Sequence, residues 1–240
     1  YFTSFYNGLE PSTLISCERK AFKNDSTELR ITFDSNIIWR DYDIEYWNSY
    51  GIPLEWLKYA EVYPISHKIV IKDGHRYVFG ADKYAYAYVE HKEGKVTLKI
   101  YQPFNKGGYK WSNKHDTSVI SLWTKVPEYG DRICICSSLK DALCLWENTL
   151  IPAISMQGEG YIPKQSVIDE LKSRFKNIYI FFDNDFDKDE NHGRQYAQFL
   201  SKTFDIPYIE IPNEYKAKDP SDFVNKYGRE KLKQLINKLI

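Results

Sequence analysis

The 240-residue chain is short of sulfur. It has one methionine and four cysteines, Cys17, Cys134, Cys136 and Cys144. No two cysteines form a CxxC pair. Cys134 and Cys136 stand two apart in an apolar run, which sends their side chains to opposite faces of a strand. A zinc site within this chain is therefore not expected. Reduced, mostly buried thiols are, and they fit an intracellular, cytoplasmic protein. There is no run of about 18 apolar residues and no signal peptide, so no membrane partner is expected. The chain has no excess of either charge, with 33 basic and 33 acidic side chains. Bulk charge thus gives no sign of nucleic-acid binding, and any such binding has to come from a local patch. Internal repeats and low-complexity segments are also missing. The chain opens on Tyr1 rather than methionine, which reads as a fragment or processed chain, with room for a preceding zinc-binding module.

What the chain has is apolar and aromatic bulk. Hydrophobic residues make up 42% and aromatic residues 16%, with 20 tyrosines. That is enough for one large or two modest cores. Residues 1–50 carry Trp39, Tyr42, Tyr46, Trp47 and Tyr50 among charges, and read as a small aromatic core. Asp43–Tyr50 reads as a short helix stopped by Gly51 and Pro53, with a further helical turn or two over Leu54–Ala60. Ser66–Ile71, Tyr84–Glu90 and Lys95–Tyr101 have strand character, separated by Lys72-Asp73-Gly74 and Lys92-Glu93-Gly94 turns. In the third of these, Val96, Leu98 and Ile100 share one face and Thr97, Lys99 and Tyr101 the other. From His91 to His115 six lysines, Lys99, Lys106 and Lys110 among them, stand against one acid, Glu93. Tyr101, Phe104, Tyr109 and Trp111 are interleaved. Lysines meet phosphates and aromatic faces stack on bases. An ordinary hairpin with a solvated basic face has the same composition.

After a loop at Val126–Asp131 the pattern changes. Arg132–Cys136 reads as a strand, Leu139–Glu147 as a helix capped by Ser137 or Ser138, and Pro152–Ser155 as a strand. Pro163–Phe175 reads as an amphipathic helix, Ile178–Phe182 as a buried central strand, His192–Thr203 as a helix, and Tyr208–Ile211 as a strand. A last helix starts at Gly228. Alternating strands and helices mean a parallel sheet flanked by helices. The fold class is α/β, or α+β overall, with a mixed β-rich module over residues 1–127 and the parallel-sheet domain over 128–240.

The central strand ends in Asp183-Asn184-Asp185. Two carboxylates at i and i+2, where a strand gives way to a loop, converge on a hard cation such as Mg²⁺. Such loops lie where open α/β sheets place their sites. A solvated acidic loop, with Asp187, Asp189 and Glu190 following, is the plain alternative. Gly193-Arg194-Gln195 opens a helix whose N-terminus favours an anion.

This alternation and the acidic strand end resemble the Toprim domain shared by bacterial-type DNA primases, type IA and type II topoisomerases and some nucleases. That family has a glutamate after its first strand and an Asp-x-Asp after its third. Asp183-Asn184-Asp185 matches the second motif. Lys218-Asp219-Pro220-Ser221-Asp222-Phe223 resembles the Lys-Asp-Pro-Asp-Glu element that follows the Toprim fold in primases. The likeness covers about residues 131–230 and is nearest to primase-like proteins of tailed bacteriophages. Those also share Ser138-Leu139-Lys140-Asp141, Tyr101-Gln102-Pro103 and Lys110-Trp111.

The resemblance implies primer synthesis: Mg²⁺-dependent joining of ribonucleoside triphosphates on a single-stranded DNA template, with Mn²⁺ able to substitute and a replicative helicase as a further partner. Asp183, Asp185 and Glu159 would be the metal ligands, with Asp141 completing the catalytic set. Lys140, Lys218 and Arg194 would meet phosphates, and Lys99, Tyr101, Lys106, Lys110 and Trp111 the template. One departure stands out. The family's first-motif glutamate falls at Ser137, which is a poor ligand and no general base. Either Glu159, in Gln157-Gly158-Glu159 after the second strand, replaces the missing carboxylate, or the site has decayed. A single-stranded-DNA-binding accessory with a relict Toprim fold and a Toprim nuclease are the two other readings. Asp219 and Asp222 read as helix-fixing residues.

Overall fold

The computed structural model describes residues 14–18, 27–32, 38–72, 75–112 and 115–240. The chain divides into two compact units. One holds Tyr1–Asp43 with Glu61–His115, the other Ile44–Ala60 with Asp116–Ile240.

The first unit is built of two antiparallel sheets. One has the order β1 (Leu14–Glu18), β2 (Thr27–Thr32), β4 (His67–Lys72), β5 (His75–Gly80). The other has β3 (Val62–Pro64), β6 (Tyr86–Lys92), β7 (Lys95–Tyr101) and β8 (Trp111–Ser112). Alternation dictates the second sheet. Leu98 and Ile100 of β7 pack with Ala87 and Val89 of β6 and with Tyr63 and Ile65, and Val96 lies against that cluster. This is the expected inner face, and the partner face carries Tyr88, Lys99, Tyr101 and Trp111. The β6–β7 turn is two residues long because Glu93 (φ 50) and Gly94 (φ 74) both take left-handed backbone, the twist that suits a tight hairpin. Strands β1, β2, β3, β5 and β8 are additions to the expected strands, although Leu29 and Ile31 of β2 alternate with polar residues. The expected turn at Asp73-Gly74 and the side chain of Cys17 lie outside the described residues.

The second unit holds a parallel sheet in the order β10 (Ala153–Ser155), β9 (Gly130–Cys136), β11 (Phe175–Phe181), β12 (Tyr208–Ile209). Helices α3 (Leu139–Thr149), α4 (Gln165–Arg174) and α5 (His192–Phe204) connect these strands, and α6 (Pro220–Tyr227) and α7 (Arg229–Leu239) follow. Helix α1 (Asp41–Ser49) spans the division between the units and α2 (Leu54–Tyr59) lies in the second. The fold is the expected one: an antiparallel β-rich region, then a Toprim-like four-stranded parallel sheet with flanking helices. Strand β11 starts three residues earlier than its apolar run, because Phe175, Asn177 and Ile178 pair with Gly130, Arg132 and Ile133 of β9. Helix α4 therefore stops at Arg174. Cys134, Cys136 and Cys144 are free and buried, as expected.

Candidate functional site

Strands β9 and β11 are neighbours, but the chain leaves them in opposite directions. From β9 it crosses through α3 to β10, and from β11 through α5 to β12. The gap between their carboxyl ends is thus a topological switch point, where open α/β sheets hold ligands. Register sets Phe181 opposite Cys136, so Ser137 and Asp183 emerge side by side. The Ser137 hydroxyl donates to Asp183 Oδ1 at 2.7 Å.

Two helix starts bring the other acids. Ser138 caps α3 by accepting from the Asp141 N–H at 3.2 Å, and the Ser138 hydroxyl turns back onto the Asp141 carboxylate. Asp219 caps α6, accepting from the Asp222 N–H at 2.6 Å, with Pro220 in the first turn. Ser221 Oγ lies 2.6 Å from Asp141 Oδ1 and 2.8 Å from Asp219 Oδ1, tying the two caps together. One carboxylate oxygen from each of Asp141, Asp183 and Asp219 falls within 4.8 Å of the others.

Three carboxylates so close need positive charge. Lys218 Nζ lies 2.8 Å from Asp183 Oδ2 and 3.3 Å from Asp219 Oδ2. Burial alone would lower its pKa, but Asp183 and Asp219 outweigh burial and hold the ammonium well above the ordinary lysine range. Burial and then the Asp219 charge push Asp141 up to about 7. Asp219 moves the other way: Lys140 and Lys218 overcome its burial and lower it. Lys140 Nζ itself lies 4.2 Å from the centre of the Tyr50 ring.

Around this cluster the strand end is fixed. Asn184, fully buried, donates to the Ile211 carbonyl at 2.7 Å and to Asn213 at 2.8 Å, and accepts from Asn191 at 2.7 Å. Its own N–H donates to the Lys218 carbonyl at 2.7 Å, so the two acidic segments are hydrogen-bonded directly. Asn191 caps α5 through the Arg194 N–H at 3.0 Å. Gly193 is obligatory here. A Cβ at this position would lie 2.0 Å from the Asp183 carbonyl oxygen and 3.0 Å from Glu159 Oε1.

The remaining sequence-stated residues take distinct places. Glu159 approaches the same edge: burial, then the Asp183 and Asp185 charges, push its carboxyl up to about 7. Asp185 is buried and paired with Lys188 at 2.9 Å. Neither belongs to the set of three whose oxygens share one 4.8 Å neighbourhood. Arg194 grips Glu210 with two bonds, Nε to Oε2 at 2.8 Å and Nη2 to Oε1 at 2.9 Å, and also reaches Asn184. Asp219 is the residue sequence reasoning read only as a cap. It does cap, and the cap is what aims its other oxygen at Lys218. Its place beside Lys218 in the primase-like element was the available signal.

The residues fit a divalent cation. Ligand bonds to Mg²⁺ or Ca²⁺ run about 2.0–2.6 Å, so oxygens within roughly 5 Å of each other can share one ion. The donors are hard carboxylates throughout, and the thiols nearest to them, Cys136 and Cys144, are buried and outside the set. Among the described residues this is the one group of three or more such ligands.

In the first unit, the lysine-aromatic face is a packed stack. Trp111 stacks on Tyr101 with ring centres 4.4 Å apart, and Lys99 Nζ lies 4.2 Å over Trp111. Tyr88 flanks both rings. Tyr101 is buried, whereas Lys106 and Lys110 are exposed.

No curated protein matches the chain. The VTC domain model matches residues 2–77, under half of the 240 residues. Among solved structures, the chain is similar to the Aquifex aeolicus primase comprising zinc-binding and RNA polymerase domains, with 13% identity and a TM-score of 0.59 over 84% of this chain and 56% of that one. It is similar to the DnaG catalytic core, with 12% identity and a TM-score of 0.59 over 82% and 72%. The DnaG primase catalytic domain bound to ssDNA gives 14%, 0.59, 82% and 73%. The chain thus spans little more than half of the first of these. At such identities the likeness is one of fold: the chain has a primase-like, Toprim-type fold that brings three aspartates together at the carboxyl edge of its parallel sheet.

Proposed function

We propose that the chain is a primase-type nucleotidyltransferase, which joins ribonucleotides on single-stranded DNA. The observation that carries this reading is the Asp141–Asp183–Asp219 cluster at the switch point of the sheet. The chemistry a bound Mg²⁺ or Mn²⁺ supplies there is neutralisation of charge on the attacking and leaving oxygens of an in-line displacement. Asp183 and Asp219 would hold it, with Asp141 completing the set. Lys218, already seated between Asp183 and Asp219, is the cation nearest to incoming phosphate oxygens. The Glu159 carboxyl, near half-protonated at neutral pH, suits accepting the proton of a 3′-hydroxyl. Asp185 and Lys188 order the loop behind this edge, and Arg194 fixes the start of α5 rather than reaching outward. The β-rich module would hold the template through Lys106 and Lys110. The reading extends to DNA replication of the kind tailed phages carry out in the host cytoplasm, beside a helicase.

A second reading has its own support. Ser137 stands where the resembling family has a glutamate, and a tethered ammonium already balances the cluster. Both favour a single-stranded-DNA-binding accessory without catalysis. One assay separates them: the protein incubated with ribonucleoside triphosphates, Mn²⁺ or Mg²⁺ and a single-stranded template. Elongation that disappears in Asp183→Asn and Asp219→Asn supports the transferase. Template degradation identifies a nuclease, and binding without either product identifies the accessory.

A further inference from the structure

The rings best placed to stack on a nucleic-acid base are not those of the Trp111 stack. Tyr101 covers one face of Trp111, the Lys99 ammonium lies over the same ring, and Tyr101 is itself buried. The loop that links β7 to β8 differs. It exposes Phe104 (60%) and Tyr109 (65%). Phe104 meets Tyr84 edge-on, with centres 5.0 Å apart.

This loop is held rigid by its own polar side chains. Gln102, buried, donates to the Tyr109 carbonyl at 3.0 Å and accepts from the Asp82 N–H at 3.1 Å, and its own N–H donates to the Lys110 carbonyl at 2.8 Å. Asn105 Oδ1 accepts from the N–H groups of Gly107 and Tyr109, both at 3.0 Å, while Asn105 Nδ2 donates to Asp82 at 2.8 Å. Gly108 takes φ 83, a left-handed turn open to glycine. The rings are therefore displayed in a fixed loop with their apolar surface in water, and ordering costs little on binding. Exposed Lys83, Lys106 and Lys110 accompany them, and Asp82, an acid that touches the loop, is hydrogen-bonded to Asn105.

We propose that this loop, Phe104 to Lys110, is the base-stacking element of a single-stranded nucleic-acid surface, with Phe104 and Tyr109 as platforms and Lys83, Lys106 and Lys110 on the phosphates. Flat rings beside lysines, with the Gln102 and Asn105 amides engaged by the loop and Asp82, suit a strand of any sequence. The proposal rests on the template-binding part of the function proposed above.

The test is fluorescence anisotropy of the full chain with a labelled oligo(dT) of about 20 nucleotides, over a range of salt. Phe104→Ala and Tyr109→Ala should each weaken binding by at least about five-fold with the salt slope unchanged. Lys83→Ala, Lys106→Ala and Lys110→Ala together should lower the slope by about two. Should an alanine variant melt early, Phe104→Leu and Tyr109→Leu keep the apolar bulk and lose the flat face, and the same weakening is expected. A wild type that binds while the ring variants bind equally well overturns the proposal and leaves the transferase reading standing. A wild type that does not bind the strand overturns template binding altogether. A wild-type dimer that the ring variants dissociate identifies the loop as a self-association face and also overturns the proposal.

Discussion

The two functional regions are built from opposite materials. The centre in the parallel-sheet unit is made of buried and half-buried carboxylates, each oxygen answered by a hydroxyl, an ammonium or a backbone N–H. The loop in the β-rich unit is made of exposed rings and lysines on a backbone locked by Gln102 and Asn105. The comparison teaches where function couples to folding. Side chains at the acidic centre also cap helices and join segments, so altering them alters stability. Phe104 and Tyr109 are exposed on the loop surface, so altering them should touch binding more than stability.

Gly193→Ala is the severest way to break this contrast. Its Cβ would overlap the Asp183 carbonyl, so α5 must move from the strand end. A loss of about 3 kcal/mol or more in urea denaturation is expected, with loss of divalent-ion binding. Full stability in this variant would mean the acidic edge is loosely built.

Asp219→Asn and Asp183→Asn come next. Each should abolish metal-dependent activity. From the sequence alone, removing one charge from a crowded acidic cluster is expected to raise the melting temperature of the metal-free protein. The structure reverses this for Asp183, whose carboxylate holds both Lys218 and Ser137. Asp183→Asn should lower the melting temperature, by scanning calorimetry, by an amount matching about 1–3 kcal/mol.

Lys218→Met sharpens the comparison from the other side. With the tethered ammonium gone, carboxylate repulsion rises and Mn²⁺ has no competitor. Calorimetric titration should show Mn²⁺ affinity rising at least about ten-fold, while the metal-free protein melts earlier. Unchanged affinity would remove Lys218 from the centre.

The pH dependence follows from Asp141, Glu159 and Asp219. Asp141 is raised from 3.8 to about 7, so the native protein binds the extra proton between those values. Its contribution to stability is full below about 3.8 and lost as pH climbs to about 7. Asp219, lowered, stabilises above 3.8 and loses that contribution only below it. Glu159, raised from 4.5 to about 7, acts in the same direction as Asp141. Metal-free protein should therefore weaken from pH 4 toward 7, and Asp141→Asn should flatten part of that slope. The smallest effect is at Trp111. Trp111→Phe keeps a ring on Tyr101 and should change oligo(dT) affinity less than about two-fold, against the larger losses expected at Phe104 and Tyr109.

Much of the fold was legible. The apolar run before Asp183 became the central strand β11, the alternation at Lys95–Tyr101 became a strand with Leu98 and Ile100 inward, and Gly193 was recognised as opening a helix. The acidic edge was legible in part. Asp183 and Asp141 meet, and Glu159 comes near enough to feel the Asp183 charge. Asp219 was not seen as their companion, because a helix cap and a cluster member look alike in sequence. Trp111 suggested an open platform because a stacked and an exposed indole have the same one-letter neighbours.

The sequence by itself determined the local periods: two along a strand, 3.6 along a helix, and the polar residues that end each. Those follow from backbone geometry within a few residues. Only the tertiary structure decided who meets whom. Ser221 reaches Asp141 across 80 positions and Ser137 reaches Asp183 across 46, because the strand order sets β9 beside β11 and folds α6 back to their edge. It is that closeness that raises Asp141, lowers Asp219 and seats Lys218 between charges, since Coulomb energy depends on distance in space and not along the chain.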